Sequence, residues 1–208
     1  MKNLTITENP LVLRDLTILR KKGTDTTEFR NALRRIAYTL AIEISKKFKL
    51  AEMDVETPLE ITTGYYLSKS IVLVPVLRAG LSLVNSFLEM MPDARVGHIG
   101  LRRDEDTLQP IDYYYKTPKN LESSVVILLD PMLATGGSAS AAITYLKEKG
   151  AKDVLLSTLI CAPEGVERVY GDHPDVLIYT AALDRQLNEN GYILPGLGDA
   201  GDRTFGTL

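Results

Sequence analysis

A mainly parallel α/β sheet flanked by helices is the fold class this chain predicts, and three observations predict it. Short apolar runs at 71–77, 124–129 and 154–161 lack the polar alternation of a half-solvated strand, so they read as strands buried on both faces. Segments with helical periodicity or helical punctuation separate them, which is the order of an α/β domain. The composition is that of an ordinary globular chain, with 45% hydrophobic and 25% charged residues, which excludes the disordered, collagen-like and disulfide-scaffold classes. The 208 residues suit one large domain spanning 1–208.

Each element has its own reason. A helix is expected over 10–21. Phe29, Leu33, Ile36, Leu40 and Ile44 recur at helical spacing behind Asp25 and Glu28, which fit a capping box. Both helices precede any clear strand and are expected to form an N-terminal helical cover. Ile71 to Leu77 is rich in β-branched residues and reads as the first buried strand; it is far too short to span a bilayer. A helix over 80–91, a strand over 96–101 and a third strand over 124–129 follow, the last ending at Asp130. A helix over 138–149 closes at Gly150, a fitting end for it. A strand over 154–161, a short helix over 163–170 opened by proline and a strand over 176–180 complete the alternation. Residues 104–118 read as a projecting β-arm, with Ile111, Tyr113 and Tyr115 alternating along one face. For the Tyr113–Tyr115 run, packing in the core or at a subunit contact outweighs catalysis.

The single Cys161 allows no internal disulfide, and residues 1–20 show no continuous apolar core of a signal peptide. A cytoplasmic location without membrane attachment is therefore expected. A net charge of −3 points away from nucleic acid as the main partner. His98 and His173 have no metal-ligand spacing and read as structural, Cys161 as a buried small hydrophobe, and the Arg34–Arg35 and Lys46–Lys47 pairs as solvated helix faces.

In parallel sheets, ligands bind beyond the carboxyl ends of the strands. The informative residues are then those from Arg78, from Arg102 and from Asp130 onward, and the tail after 184. The stretch Asp130, Pro131, Met132, Leu133, Ala134, Thr135, Gly136, Gly137, Ser138 joins an apolar strand to a helix. Its glycines let backbone N–H groups approach a ligand, Thr135 and Ser138 add hydroxyl donors, and the helix N-terminus adds positive potential: a nest for phosphate. Asp130 stands where a carboxylate accepts hydrogen bonds from sugar hydroxyls. The Gly-Gly-Ser sequence by itself reads equally well as a plain strand–helix turn with Ser138 as N-cap. It is not a Walker loop, because the Gly-Lys ending is absent.

Residues 128–138 strongly resemble the phosphoribosyl-pyrophosphate motif of the uracil phosphoribosyltransferases, a branch of the type I phosphoribosyltransferases in which proline, here Pro131, replaces the second acid. The resemblance runs through most of the chain. It implies transfer of the 5-phosphoribosyl group from 5-phospho-α-D-ribose 1-diphosphate to N1 of uracil, giving UMP and diphosphate, a step of pyrimidine salvage. It implies that Arg78, in Val74-Pro-Val-Leu-Arg-Ala-Gly80, binds the diphosphate, and that a cis peptide lies near Arg78–Ala79; the tripeptide alone reads as a surface arginine after a strand. Arg103 aligns as the second diphosphate ligand, in the register of Asp104 and Glu105, with Arg102 in place of the usual aromatic residue.

The tail from Gly191 to Arg203 contains a Gly-x-Gly-x-x-Gly pattern at 196–201, but no strand leads into it and too few residues follow for a helix and second strand, so the dinucleotide reading fails. A glycine-rich tail exposes peptide groups instead. Uracil presents acceptor, donor and acceptor, which a backbone segment complements, and a mismatched base costs about 1–3 kcal/mol per unmatched buried group. The resemblance implies this role for Ile193, Gly198, Asp199 and Ala200, and places Asp199 near the ribose and its metal. Mg²⁺ is the expected cofactor, since a phosphate-rich site with few carboxylates suits a hard, partly hydrated cation. Arg78, Arg103, Asp130 and Asp199 are the residues expected to act on the reacting groups. No general base for uracil N1 is readable; water, Asp199 and ionisation before binding are the alternatives. Asn190 is expected to matter little. Relatives are dimers or larger, and some respond to GTP, so a homo-oligomer and a GTP effector are expected partners beside the two small-molecule substrates.

Overall fold

The computed structural model describes residues 3–103 and 110–207, with side chains described outside 101–113. In chain order the elements are β1 (Leu4–Ile6), α1 (Pro10–Arg20), α2 (Thr26–Ser45), β2 (Leu50–Glu56), β3 (Ile61–Leu67), β4 (Ser70–Leu77), α3 (Leu81–Met90), β5 (Arg95–Val96), β6 (His98–Arg103), β7 (Pro110–Lys116), β8 (Ser124–Leu129), β9 (Met132–Leu133), α4 (Gly137–Glu148), β10 (Asp153–Cys161), α5 (Pro163–Asp172), β11 (Leu177–Leu183), β12 (Gln186–Leu187), β13 (Ile193–Leu194) and α6 (Ala200–Phe205).

The main sheet runs β1-β11-β10-β8-β4-β6-β7, with β5 beside β4 and β9 beside β10. Every pairing in it is parallel except β6 with β7. The apolar runs are continuous because both faces are covered. Ile71, Leu73, Val125, Ile127 and Leu129 pack with α1, α2 and α3, while Val72, Val74, Val76, Val126 and Leu128 pack with α4 and α5. Alternate residues of one strand thus serve two separate cores, as the twofold period of a strand requires.

The sheet also reaches places the sequence did not announce. Its edge begins at β1, before the helical cover, so the two N-terminal helices do not precede the first strand. Residues 50–67 form a separate antiparallel hairpin whose residues are mostly exposed. With no buried face, no alternation marked it. Asp25 caps α2 through the Glu28 amide at 2.8 Å, as its position implied. The N-cap of α4 is Gly136 rather than Ser138, and Lys149 caps its far end with Gly150 following at φ +95°. The tail closes in a six-residue helix, α6, starting at Ala200, and among the described residues no strand follows it. Arg35 does not lie on a purely solvated face: it holds the buried Asp15 carboxylate with two bonds of 2.8 and 2.9 Å.

Of the projecting arm, β7 pairs with β6, and residues 104–109 lie outside the described residues. Tyr115 packs edge-on against Tyr145 of α4 at 4.4 Å between ring centres, a core contact rather than a catalytic one; Tyr114 is exposed, and the side chain of Tyr113 lies outside the described residues. Cys161 is fully buried, and His173 is buried against α4 within hydrogen-bond distance of the Ser140 carbonyl.

Candidate active site

The carboxyl ends of β4, β8 and β10 define the rim on which the site stands. At the end of β8, the Asp130 amide donates to the Ser157 carbonyl at 3.1 Å. The chain then pairs again with β10 through β9: Pro131 O accepts from the Leu159 amide at 2.9 Å and from Thr158 Oγ1 at 3.0 Å, and Leu133 O accepts from the Ala162 amide at 2.9 Å. Pro131 and Leu133 are therefore buried anchors, whereas Met132 and Ala134 face the cleft. Gly136 turns the chain at φ +77°, and a Cβ there would sit 2.7 Å from Gly165 O. Only glycine makes this turn without strain, and α4 begins at once on Gly137 with no side-chain cap. The first amides of the helix have no intrahelical acceptor and are aimed at the rim beside Thr135 and Ser138.

Asp130 is largely packed in, and desolvation pushes its carboxyl up to about 7, against a smaller opposing hydrogen bond from the Met132 amide. At neutral pH it is poised between donor and acceptor. A carboxyl raised by desolvation at the end of a central strand is a mark of a functional position.

Arg78 follows β4, where the peptide Leu77–Arg78 is cis, one bond earlier than the resemblance placed it. Its guanidinium is exposed, with Nη2 3.5 Å from Asp202 Oδ1 at the start of α6. Arg103 ends β6, the strand paired in parallel with the end of β4, and its side chain lies outside the described residues, as does that of Arg102.

The tail supplies the opposite wall. Ile193, Gly198, Asp199 and Ala200 line a cleft of about 350 Å³ together with Ala79, Met132 and Ala134. Asp199 is the N-cap of α6, its Oδ1 accepting from the Asp202 amide at 2.8 Å. Asn190, Gly191, Tyr192 and Gly201 also face the cleft. Asn190, expected to matter little, is part of the wall, and nothing about it in the sequence signalled that. The two walls meet where a Cβ on Gly191 would stand 3.7 Å from Thr135 Cγ2.

Asp184 was not assigned by the sequence. It is buried, paired with Arg20 and bonded to the Gly196 amide at 3.0 Å. Arg203 donates to Leu197 O at 2.8 Å, to Leu19 O, and to Lys21 O at 2.9 Å, with its guanidinium 4.5 Å from the Phe29 ring centre. Their signal lay only in the third dimension.

A parallel sheet with an anion-binding turn at the end of a central strand, an arginine loop beside it and a backbone-lined cleft defines a phosphoribosyltransferase of the type I fold. The purine phosphoribosyltransferase of Pyrococcus horikoshii shares that fold, with a TM-score of 0.54 and 15% identity over 74% of this chain and 84% of that one. The AQ2163 protein of Aquifex aeolicus superimposes with a TM-score of 0.91 and 36% identity over 97% of each chain. The family model described as uracil phosphoribosyltransferase matches residues 6–207. Proteins of that name from Finegoldia magna and Fervidobacterium nodosum are 53% and 54% identical, over 100% of both chains and over 98% and 99% of them respectively. The chain belongs to the uracil phosphoribosyltransferase family. Among the described residues, no helix is long and apolar enough to cross a membrane.

Proposed function

We propose that the cleft between the β8–α4 turn and the tail transfers the phosphoribosyl group of 5-phospho-α-D-ribose 1-diphosphate to uracil, giving UMP and diphosphate, the reaction of its family. The observation that carries this reading is proximity in the chain: Met132 and Ala134 of the β8–α4 turn and Ala79, next to the exposed Arg78, line one cleft with the peptide groups of the tail, and the desolvated Asp130 and the start of α4 flank those turn residues. The 5′-phosphate lies on the amides and hydroxyls of residues 134–138, and the ribose hydroxyls lie at Asp130. The diphosphate takes Arg78 and Arg103, and uracil takes the backbone of Ile193 and 198–200.

In the reaction, uracil gives up its N1 proton, which ends in solvent, and N1 bonds to C1 as the C1–oxygen bond to diphosphate breaks, the bonding pair leaving with diphosphate. Such a step asks for alignment and for stabilisation of departing charge. Arg78 meets the second need, because its loose contact with Asp202 yields readily to a dense anion that takes a guanidinium with two bonds. Asp130, near 7, can accept from one ribose hydroxyl or donate to its oxygen.

Magnesium fits the donor set. Among the described residues no three His, Cys, Asp or Glu side chains cluster, while Asp130 and Asp199 stand singly at the rim. That favours a hydrated ion held chiefly by the oxygens of the donor. When bound, it would offset the diphosphate charge. A homo-oligomer of two or more copies and a GTP effector belong to the same proposal on family likeness, and sedimentation with and without GTP tests both.

The decisive assay measures diphosphate release from the sugar donor and Mg²⁺ with uracil, cytosine, hypoxanthine or adenine. Release is expected with uracil only; release with a purine instead would overturn the reading. Asp199→Asn should keep the α6 cap, since an amide oxygen still accepts, yet lower turnover. An unaltered rate would clear Asp199 of any part in the chemistry.

A further inference from the structure

Two charged side chains that do not line the cleft hold the segment that does. Asp184 follows β11, and its side chain is 4% exposed. Both of its oxygens are engaged: Oδ1 accepts from Arg20 Nη2 at 2.6 Å, and Oδ2 accepts from Arg20 Nη1 at 2.8 Å and from the Gly196 amide at 3.0 Å. Arg20 Nη1 also donates to the Gly196 carbonyl at 3.0 Å. The pair therefore occupies both peptide groups of one residue.

Gly196 sits between the two stretches assigned to uracil. It has φ +64°, and a Cβ on it would lie 2.2 Å from Ile193 O, so its backbone is pressed against that of Ile193. The Asp184 amide donates to Cys161 O at 2.8 Å, which ties the pair to the end of β10. Arg20 is the last residue of α1. The position of Gly196 is thus referenced to the same sheet rim that carries the phosphate nest.

A base read by peptide groups is read by atoms that no rotamer change can bring back into line. Discrimination then depends on where the backbone is held, and small displacements of positioned groups carry large kinetic costs. We infer that the Arg20–Asp184 pair is the positioning element for uracil recognition: by fixing both peptide groups of Gly196 it sets the backbone of 193–200, and with it affinity and selectivity for the base. This rests on the assignment of the tail to uracil. The phosphate side has its own anchors on β10 and does not share the dependence.

Two variants test it. Asp184→Asn keeps the size and an acceptor for the Gly196 amide but loses the charge. Arg20→Lys keeps the charge but not the two-pronged reach. The KM for uracil should rise about tenfold or more in Asp184→Asn and less in Arg20→Lys, with the donor KM within about twofold and the preference for uracil over cytosine reduced. A residue that merely supported the fold would move both KM values together. Exchange of the Gly198 and Ala200 amides, with and without UMP, is followed in the unaltered protein alongside. If UMP does not protect those amides, the tail is not the base site and the inference falls with that assignment. If UMP protects them, but the folded variants keep the uracil KM or raise both KM values equally, the positioning role is overturned and the assignment stands. Should Asp184→Asn fail to fold, Arg20→Lys carries the test by itself.

Discussion

The β8–α4 turn and the C-terminal tail form facing walls of one cleft, yet they are held in place over very different spans of chain. The turn is secured by β10, with Thr158 Oγ1 on Pro131 O only 27 positions away. The tail is secured by α1 and α2, through Arg20 to Asp184 and Gly196, Arg30 to Thr204 and Arg203 to Leu19, which are 164 to 184 positions apart. The turn is therefore anchored within one strand–helix–strand stretch, whereas the tail takes its place only once both ends of the chain have met. On the proposed assignment, the sugar donor would meet the first kind of wall and the base the second.

The comparison can be broken at several points, the largest effect first. Arg78→Ala removes a guanidinium that is exposed and makes one loose ion pair. It should cost roughly 10²–10³-fold in kcat/KM, about 3–4 kcal/mol, as for loss of a donor to developing charge. Its melting temperature should stay within about 1 °C of the parent's, because an exposed pair contributes little. Normal turnover in a folded Arg78→Ala protein would remove the arginine from the chemistry.

Asp130→Asn separates function from stability on the phosphate wall. Burial raises the Asp130 carboxyl to about 7, from an ordinary value of 3.8. The folded state thus binds the proton more tightly than the unfolded one, and this carboxyl lowers stability as pH rises from about 4 to about 7. The neutral asparagine escapes that cost. At pH 8 the variant should be more stable by as much as about 4 kcal/mol while losing activity, and the difference should vanish near pH 4. Denaturant titration at the two pH values reads it, and equal stability of the two proteins at pH 8 would show that the carboxyl is not desolvated enough to hold its proton.

Gly136→Ala strains the turn at φ +77° and brings a Cβ to 2.7 Å from Gly165 O. A loss of about 1–3 kcal/mol is expected, with the donor KM raised more than the uracil KM; the reverse order of the two KM values would contradict the assignment of the walls. Arg30→Ala is the mildest. It deletes the bond to Thr204 O at 2.6 Å, worth about 1 kcal/mol, and should raise the uracil KM by a small factor with the donor KM unchanged. Matched steady-state titrations of both substrates decide the last two.

What could be read before the fold was known follows the same division. The β4, β8 and β10 strands announced themselves because a strand covered on both faces must be apolar throughout, and α2 because its buried residues repeat every turn. The β2–β3 hairpin gave no such sign, since most of its residues are exposed and neither face is packed. At the site, the glycines and hydroxyls of 130–138 fitted a phosphate nest and a plain turn equally well, and Ile193, Gly198, Asp199 and Ala200 were singled out by the family resemblance; all four of the latter do line the cleft. Arg20, Asp184 and Arg203 were not. An ion pair between residues 164 positions apart leaves no spacing to read. Asn190 was expected to matter little, yet it faces the cleft beside residues from other elements.

By itself, then, the order of residues determined the sheet's buried strands, the helices between them and the glycine turn after β8, because strand burial, helix periodicity and glycine turns are settled by neighbours within a few positions. The tertiary structure alone decided that the tail becomes a wall, that Gly196 is gripped by Arg20 and Asp184, and that Asp130 is buried enough to hold its proton near neutrality. Each of these depends on which distant groups exclude water and supply charge, a property of the packed chain rather than of any segment of it.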